Sequence, residues 1–113
     1  GDEPMKVGMI VSNEPGYYES GWGGVRLENL YVVMTDDDLP DHPDGKRWFR
    51  MDPLTLIPFD TSLIDWSDMA EAEKDWLGEY HQEVWDKISP LLGDEESQWL
   101  WGKCQVPGFT MSA

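Results

Sequence analysis

The eleven residues Thr35 to Gly45 (TDDDLPDHPDG) divide this chain into two sections with different hydrophobic patterns. Pro40, Pro43, Gly45 and five Asp exclude a regular element there. Before this stretch, apolar residues come in short runs broken by Gly and Pro, as strands do. After it, the longest pattern advances by three and four residues, as one face of a helix does. The chain is therefore α+β, with its junction in the acidic stretch. The carboxylates and His42 of that stretch lack the Gly and terminal Glu placements of an EF-hand loop, so it reads as a solvated connector.

In the first section, Gly8-Met9-Ile10-Val11 reads as a buried strand, closed by Ser12-Asn13 and broken by Glu14-Pro15-Gly16. Tyr17 to Gly24, with Gly21, Gly23 and Gly24, reads as a loop. Val25 to Met34 carries the longest strand signal, and it would pair antiparallel with the first strand. Alternation places Arg26, Glu28 and Leu30 on one face of it.

In the second section, Leu54 to Ile57 reads as a short strand held between Pro53 and Pro58. Asp68-x-x-Glu71 has the form of a capping box. The helix it opens carries a stripe of Leu77, Tyr80, Val84, Ile88 and Leu91, with His81 on its polar side. Ser89-Pro90 should end or kink this helix. Asp94 would cap a short final helix closed by Gly102.

Composition narrows the function. The 113 residues support one compact unit if the chain folds alone, and 40 % hydrophobic residues exclude a disordered acidic tail. A formal net charge of −15 argues against phosphate backbones and anionic membrane surfaces as partners, so neither nucleic acid nor membrane is expected. No apolar run is long enough for a transmembrane helix. Lone Cys104 excludes an internal disulfide and fits a reducing compartment. No Ser–His–Asp order, Gly-rich phosphate loop or Cys/His ligand spacing can be assembled. The acidic helix face of Glu71, Asp75, Glu79, Glu83 and Asp86 reads as solvated charge.

Two carboxylates stand apart from that background. Glu14 sits where a strand meets a Pro-Gly turn, and Glu28 sits inside a strand pattern two residues from Arg26. Burying an ionised carboxylate costs several kcal/mol unless a cation or metal offsets it. The residue types alone favour an Arg26–Glu28 ion pair on an exposed face.

The surrounding strings carry more. Ser12-Asn13-Glu14-Pro15-Gly16-Tyr17-Tyr18 followed by Arg26-Leu27-Glu28-Asn29 closely resembles the last metal-binding segment of Xaa-Pro aminopeptidases. These are dinuclear metallopeptidases of the pita-bread superfamily, which also holds methionine aminopeptidase, prolidase and creatinase. The resemblance runs from Pro4 to about Trp101. It includes Asp52-Pro53-Leu54-Thr55-Leu56-Ile57-Pro58-Phe59, Leu63-Ile64-Asp65 and Trp76-Leu77-Gly78-Glu79-Tyr80-His81. The Asp36 to Asp44 loop looks like an insertion, and Gly108 to Ala113 has no counterpart.

The resemblance implies that residues 1–45 are the C-terminal end of a pita-bread catalytic domain built of antiparallel strands. Residues 46–113 are then the small strand-plus-helix C-terminal extension of the three-domain members. It implies that Glu14 binds one metal and acts as catalytic general base or proton shuttle, that Glu28 bridges two metals, and that Arg26 orients these carboxylates. Glu14 and Glu28 should then lie on adjacent antiparallel strands with converging carboxylates. Two divalent ions, with manganese expected, acidify a water that attacks the peptide, and a nearby carboxylate moves its proton to the leaving amine.

The family's metal-binding aspartates and histidines lie upstream of the matched segment, so the chain reads as a fragment that is inactive and metal-free alone. The full-length protein is expected to be a cytoplasmic homodimer that releases the N-terminal residue from peptides with proline second. The alternatives are a non-catalytic interaction or dimerisation domain, and a prolidase-like dipeptidase; the helical extension weighs against the latter. Trp66, Trp76, Trp85, Trp99 and Trp101 would serve either a dimer interface or packing against the catalytic core.

Overall fold

A computed structural model describes residues 3–113. The fold is α+β, with strands β1 (Ile10–Asn13), β2 (Gly16–Glu19), β3 (Gly23–Arg26), β4 (Asn29–Thr35) and β5 (Phe49–Pro53) preceding helices α1 (Glu71–Ile88) and α2 (Asp94–Cys104). Its contacts form two compact units rather than one, with the division between Thr55 and Leu56.

In the first unit, β1, β4 and β5 form an antiparallel sheet in the order β1-β4-β5, and β2 pairs with β3. The two ladders share one register. Asn13 faces Asn29 before the break and Gly16 faces Arg26 after it. Two residues intervene on each side, so Pro15 stands opposite Leu27 and Glu14 opposite Glu28. The Leu27 N–H donates to the Pro15 carbonyl at 3.0 Å, which holds the strands together through the gap. Residues 10 to 32 are therefore one long hairpin whose regular ladder lapses only at the two glutamates.

This corrects two expectations. Tyr17 to Gly24 is not loop but most of the hairpin's outer arm, and Glu28 lies between β3 and β4 rather than inside a strand. Only Gly21 and Gly23, at φ 79° and 137°, use the backbone freedom of glycine in this arm. Gly16 and Gly24 are strand residues for a different reason. A Cβ on either would run into the ring of Tyr18, which lies across both.

The first strand also differs from expectation. Gly8 has φ 89°, so regular pairing begins at Ile10. Gly8 and Met9 both bond Val33, two residues against one, which is a bulge. β1 is largely exposed rather than buried, whereas one face of β4, Asn29, Tyr31 and Val33, is buried. The last strand of the unit is Phe49–Pro53, not Leu54–Ile57, because the chain leaves the ladder after Pro53.

The second unit packs α1 against α2 and the tail that follows. Its core is Tyr80, Val84, Leu100, Cys104 and Met111, flanked by Leu56, Phe59, Trp85, Ile88, Trp101 and Phe109. The expected stripe holds through Ile88. Leu91 is 79 % exposed, since Pro90 converts Ser89–Leu91 into a separate 3-10 turn. Asp68 does not cap α1. It lies in a 3-10 turn, and the Glu73 carboxylate reaches back to accept the Ala70 N–H at 2.9 Å. Gly93, not Asp94, caps α2, which runs through Gly102 to Cys104. Cys104 is buried, which pushes its thiol up to about 11.

His81 reverses its expected place. It is fully buried, with Nδ1 3.0 Å from the Cys104 carbonyl and Nε2 accepting the Phe59 N–H at 3.1 Å. A hydrophobicity pattern sees only a polar residue and misses two backbone partners that satisfy both ring nitrogens. This pairing requires the neutral ring with its proton on Nδ1.

The tail 105–113 straps the outside of α1. Gln82 donates to the Ser112 carbonyl at 2.8 Å and accepts its N–H at 2.9 Å, as a neighbouring strand would. Phe109 lies directly over Gly78, where a Cβ would collide with its ring. Gly78→Ala is therefore expected to lose about 1–3 kcal/mol through overpacking. That exceeds the ~1 kcal/mol that alanine gains over glycine in a helix. A lower denaturant midpoint is the expected result, and an unchanged or higher one would mean that Phe109 moves aside freely.

Candidate metal centre

The lapse in the hairpin ladder concentrates charge on one face. Glu14, Arg26 and Glu28 share it, together with Ser12 and Tyr18, because the alternation continues through the break. Arg26 bridges the two carboxylates. One terminal guanidinium nitrogen lies 3.4 Å from Glu14 and 3.6 Å from Glu28, and all three side chains are about half exposed. The Ser12 hydroxyl donates to the other Glu14 oxygen at 2.7 Å.

Arg26 is held from behind. Its Nε donates to the Tyr18 hydroxyl at 3.0 Å. That bond, followed by the charges of Glu14 and Glu28, raises the arginine pKa further above its already high value. Tyr18 can reach Arg26 because Gly16 and Gly24 let its ring lie flat on the strands. Tyr18 and Ser12 are the site residues that a reading of charges alone misses. The signal for Tyr18 was a tyrosine between glycines on paired strands.

Chemically, two opposed carboxylates offer hard oxygens that suit a divalent cation. Like charges placed face to face are stabilised by a cation between them, a role the guanidinium fills here. Two carboxylates are too few to hold a metal pair. Among the described residues, no group of three or more His, Cys, Asp or Glu side chains converges to bind an ion. The acidic loop does not supply one. Its Asp44 is taken by His42 at 2.6 Å and Lys46 at 3.3 Å.

The antiparallel hairpin, followed along the chain by two helices, falls in regions that match one known peptidase family. Residues 1–35 match metallopeptidase family M24, and residues 47–106 match the C-terminal region of peptidase M24. The chain belongs to the M24 metallopeptidases.

Among curated relatives, aminopeptidase P2 of Arabidopsis thaliana is 48 % identical over 99 residues, covering 87 % of this chain and 14 % of that protein. A probable Xaa-Pro aminopeptidase P of Coprinopsis cinerea is 46 % identical over 99 residues, covering 88 % of this chain and 16 % of its own length. The crystal structure of X-prolyl aminopeptidase from Caenorhabditis elegans, described as a cytosolic enzyme with a di-nuclear active site, superposes with TM-score 0.74 at 28 % identity. That match covers 90 % of this chain and 17 % of the other. The chain thus spans between about one-seventh and one-sixth of the length of these relatives. No helix among the described residues is long and apolar enough to cross a membrane.

Proposed function

We propose that this chain is the C-terminal part of a dinuclear Xaa-Pro aminopeptidase, which releases the N-terminal residue from peptides with proline second. The observation that carries the reading is the pairing of Glu14 with Glu28 across the hairpin, both carboxylates on one nitrogen of Arg26. Glu14 and Glu28 are the metal ligands this chain contributes, and segments outside it contribute the rest. Bound divalent ions, manganese by this reading, supply Lewis acidity and an acidified water. Glu14 accepts and delivers the proton, with the Ser12 hydroxyl fixing its orientation. Arg26, held by Tyr18, keeps the two carboxylates facing each other as they exchange protons and cations.

By the same reading the full-length enzyme is a cytoplasmic homodimer. The family matches fall on either side of the acidic loop, which supports 1–45 as the end of the catalytic domain and 46–113 as its extension. The test is hydrolysis by the full-length enzyme containing this chain, after chelation and re-addition of Mn²⁺, Co²⁺ or Zn²⁺. Cleavage of Xaa-Pro peptides, but not of matched peptides without proline second, is expected. Residues 1–113 alone should bind Mn²⁺ only weakly, since affinity follows the number of oxygen ligands. Tight binding of two ions by residues 1–113, or proline-independent cleavage by the full enzyme, would overturn the reading.

A further inference from the structure

β4 begins at Asn29, immediately after Glu28, and its partner β5 ends at Pro53. The ladder nevertheless continues for one more rung. The Leu54 N–H donates to the Leu30 carbonyl at 2.8 Å, and the Leu30 N–H donates to the Thr55 side-chain hydroxyl at 2.9 Å. A further β5 residue would offer a backbone carbonyl at that place. Here the chain has already turned away, and a hydroxyl takes the carbonyl's part. Both main-chain groups of Leu30 are thereby closed.

Leu30 matters because of what flanks it. It lies two residues from Glu28, on the same face of the hairpin. Across β1 it faces Ser12, whose hydroxyl holds Glu14. Toward Glu28 one more rung follows on the β1 side, Asn29 opposite Asn13, and the regular pairing then lapses; on the β5 side the Leu30 rung is the last before the glutamate. Thr55 is half-buried and lies in the region that matches the C-terminal part of the family, not in the region that carries the two glutamates.

We infer that Thr55 is a positioning residue for Glu28: its hydroxyl fixes the backbone from which that carboxylate is presented to a divalent cation. The inference rests on the metal-ligand reading of Glu28. Metal ligands must be held to within about half an ångström, by groups that are themselves locked in place. A Leu30 N–H left without its acceptor turns to water, and the start of β4 frays.

The test uses the full-length enzyme with Thr55→Val, which keeps the shape without the hydroxyl, and Thr55→Ser, which keeps the hydroxyl. Thr55→Val is expected to weaken Mn²⁺ binding, measured by calorimetry, by about 10-fold, the scale seen when groups supporting metal ligands are removed. Its kcat should fall with KM unchanged, and amide exchange over residues 28–32 should quicken. Thr55→Ser should restore all three. Equal impairment of both variants, or faster exchange in Thr55→Val with wild-type Mn²⁺ affinity, would overturn the proposal.

A measurement on the unsubstituted enzyme guards against a variant that fails to fold. Coupling is reciprocal, so Mn²⁺ should slow amide exchange at Leu30 by at least about 5-fold. No slowing would count against the role. Absence of Xaa-Pro hydrolysis in that same enzyme would instead refute the functional reading, so the two failures are distinguishable.

Discussion

In the full-length enzyme, Glu14→Gln is expected to retain its metal and lose kcat by about 10²–10⁴-fold, the range for removing a general acid–base group. The amide keeps an oxygen donor, and the Ser12 hydroxyl can still hold it, but it cannot take a proton. Glu28→Gln should fail differently. On the proposed reading it would remove a negative charge that the divalent ions need, and it leaves Arg26 with Glu14 as its carboxylate partner. That variant should lose metal first and activity as a consequence. Elemental analysis beside kinetics separates the two roles. If both variants keep full metal and near-normal turnover, the glutamates and Arg26 are only an exposed ion network.

The second large effect lies far from this chemistry, at His81. His81→Ala would take the partner from the part-buried Phe59 N–H and from the buried Cys104 carbonyl. Each orphaned group costs about 1–3 kcal/mol. With the cavity left by the ring, a total loss of about 3–5 kcal/mol is expected.

The same histidine makes stability depend on pH. Burial lowers its pKa below the ordinary 6.5, against the hydrogen bond to the Cys104 carbonyl, which raises it. Its contribution is therefore complete above pH 6.5, where the unfolded histidine is also neutral. Below that, the unfolded state takes up a proton that the folded state refuses, and stability falls with pH. Protonated Nε2 would face the Phe59 N–H, donor against donor. Denaturant midpoints between pH 7.5 and 5.5 should fall for the unsubstituted protein and stay flatter for His81→Ala. Parallel curves would show that His81 is not the titrating group.

The parts of this chain that were legible from sequence are those set by local rules. The antiparallel pairing of the strand expected at Gly8–Val11 with the one expected at Val25–Met34, the helical stripe from Leu77 to Ile88, and its stop at Pro90 all follow from period and proline chemistry. The strands themselves run Ile10–Asn13 and Asn29–Thr35. The Glu14 and Glu28 strings stood out through their resemblance to the family's last metal-binding segment, since the residue types alone favoured an exposed Arg26–Glu28 ion pair. What escaped depends on partners distant in sequence. The hairpin arm at Tyr17 to Gly24 looked like loop because its glycines make room for the Tyr18 ring rather than for a turn. His81 looked like a surface residue because its acceptor and donor belong to Cys104 and Phe59, each more than twenty positions away. Thr55 escaped for the same reason, since a hydroxyl that completes a ladder leaves no periodic mark.

The pairing of β4 with β5 changes what the acidic stretch is. The Asp36 N–H donates to the Trp48 carbonyl at 2.9 Å, so the backbone enters and leaves residues 37–47 at one closed point. In covalent terms this segment joins two family regions, yet in the sheet it is the return of a single hairpin. A chain shortened before it would forfeit β5 and leave β4 with a bare edge, an invitation to intermolecular strand pairing. A chain lengthened within it would keep every rung, because the added residues hang from a stem that is already closed. The place where the sequence is easiest to divide is thus a place to insert, and a poor place to cut.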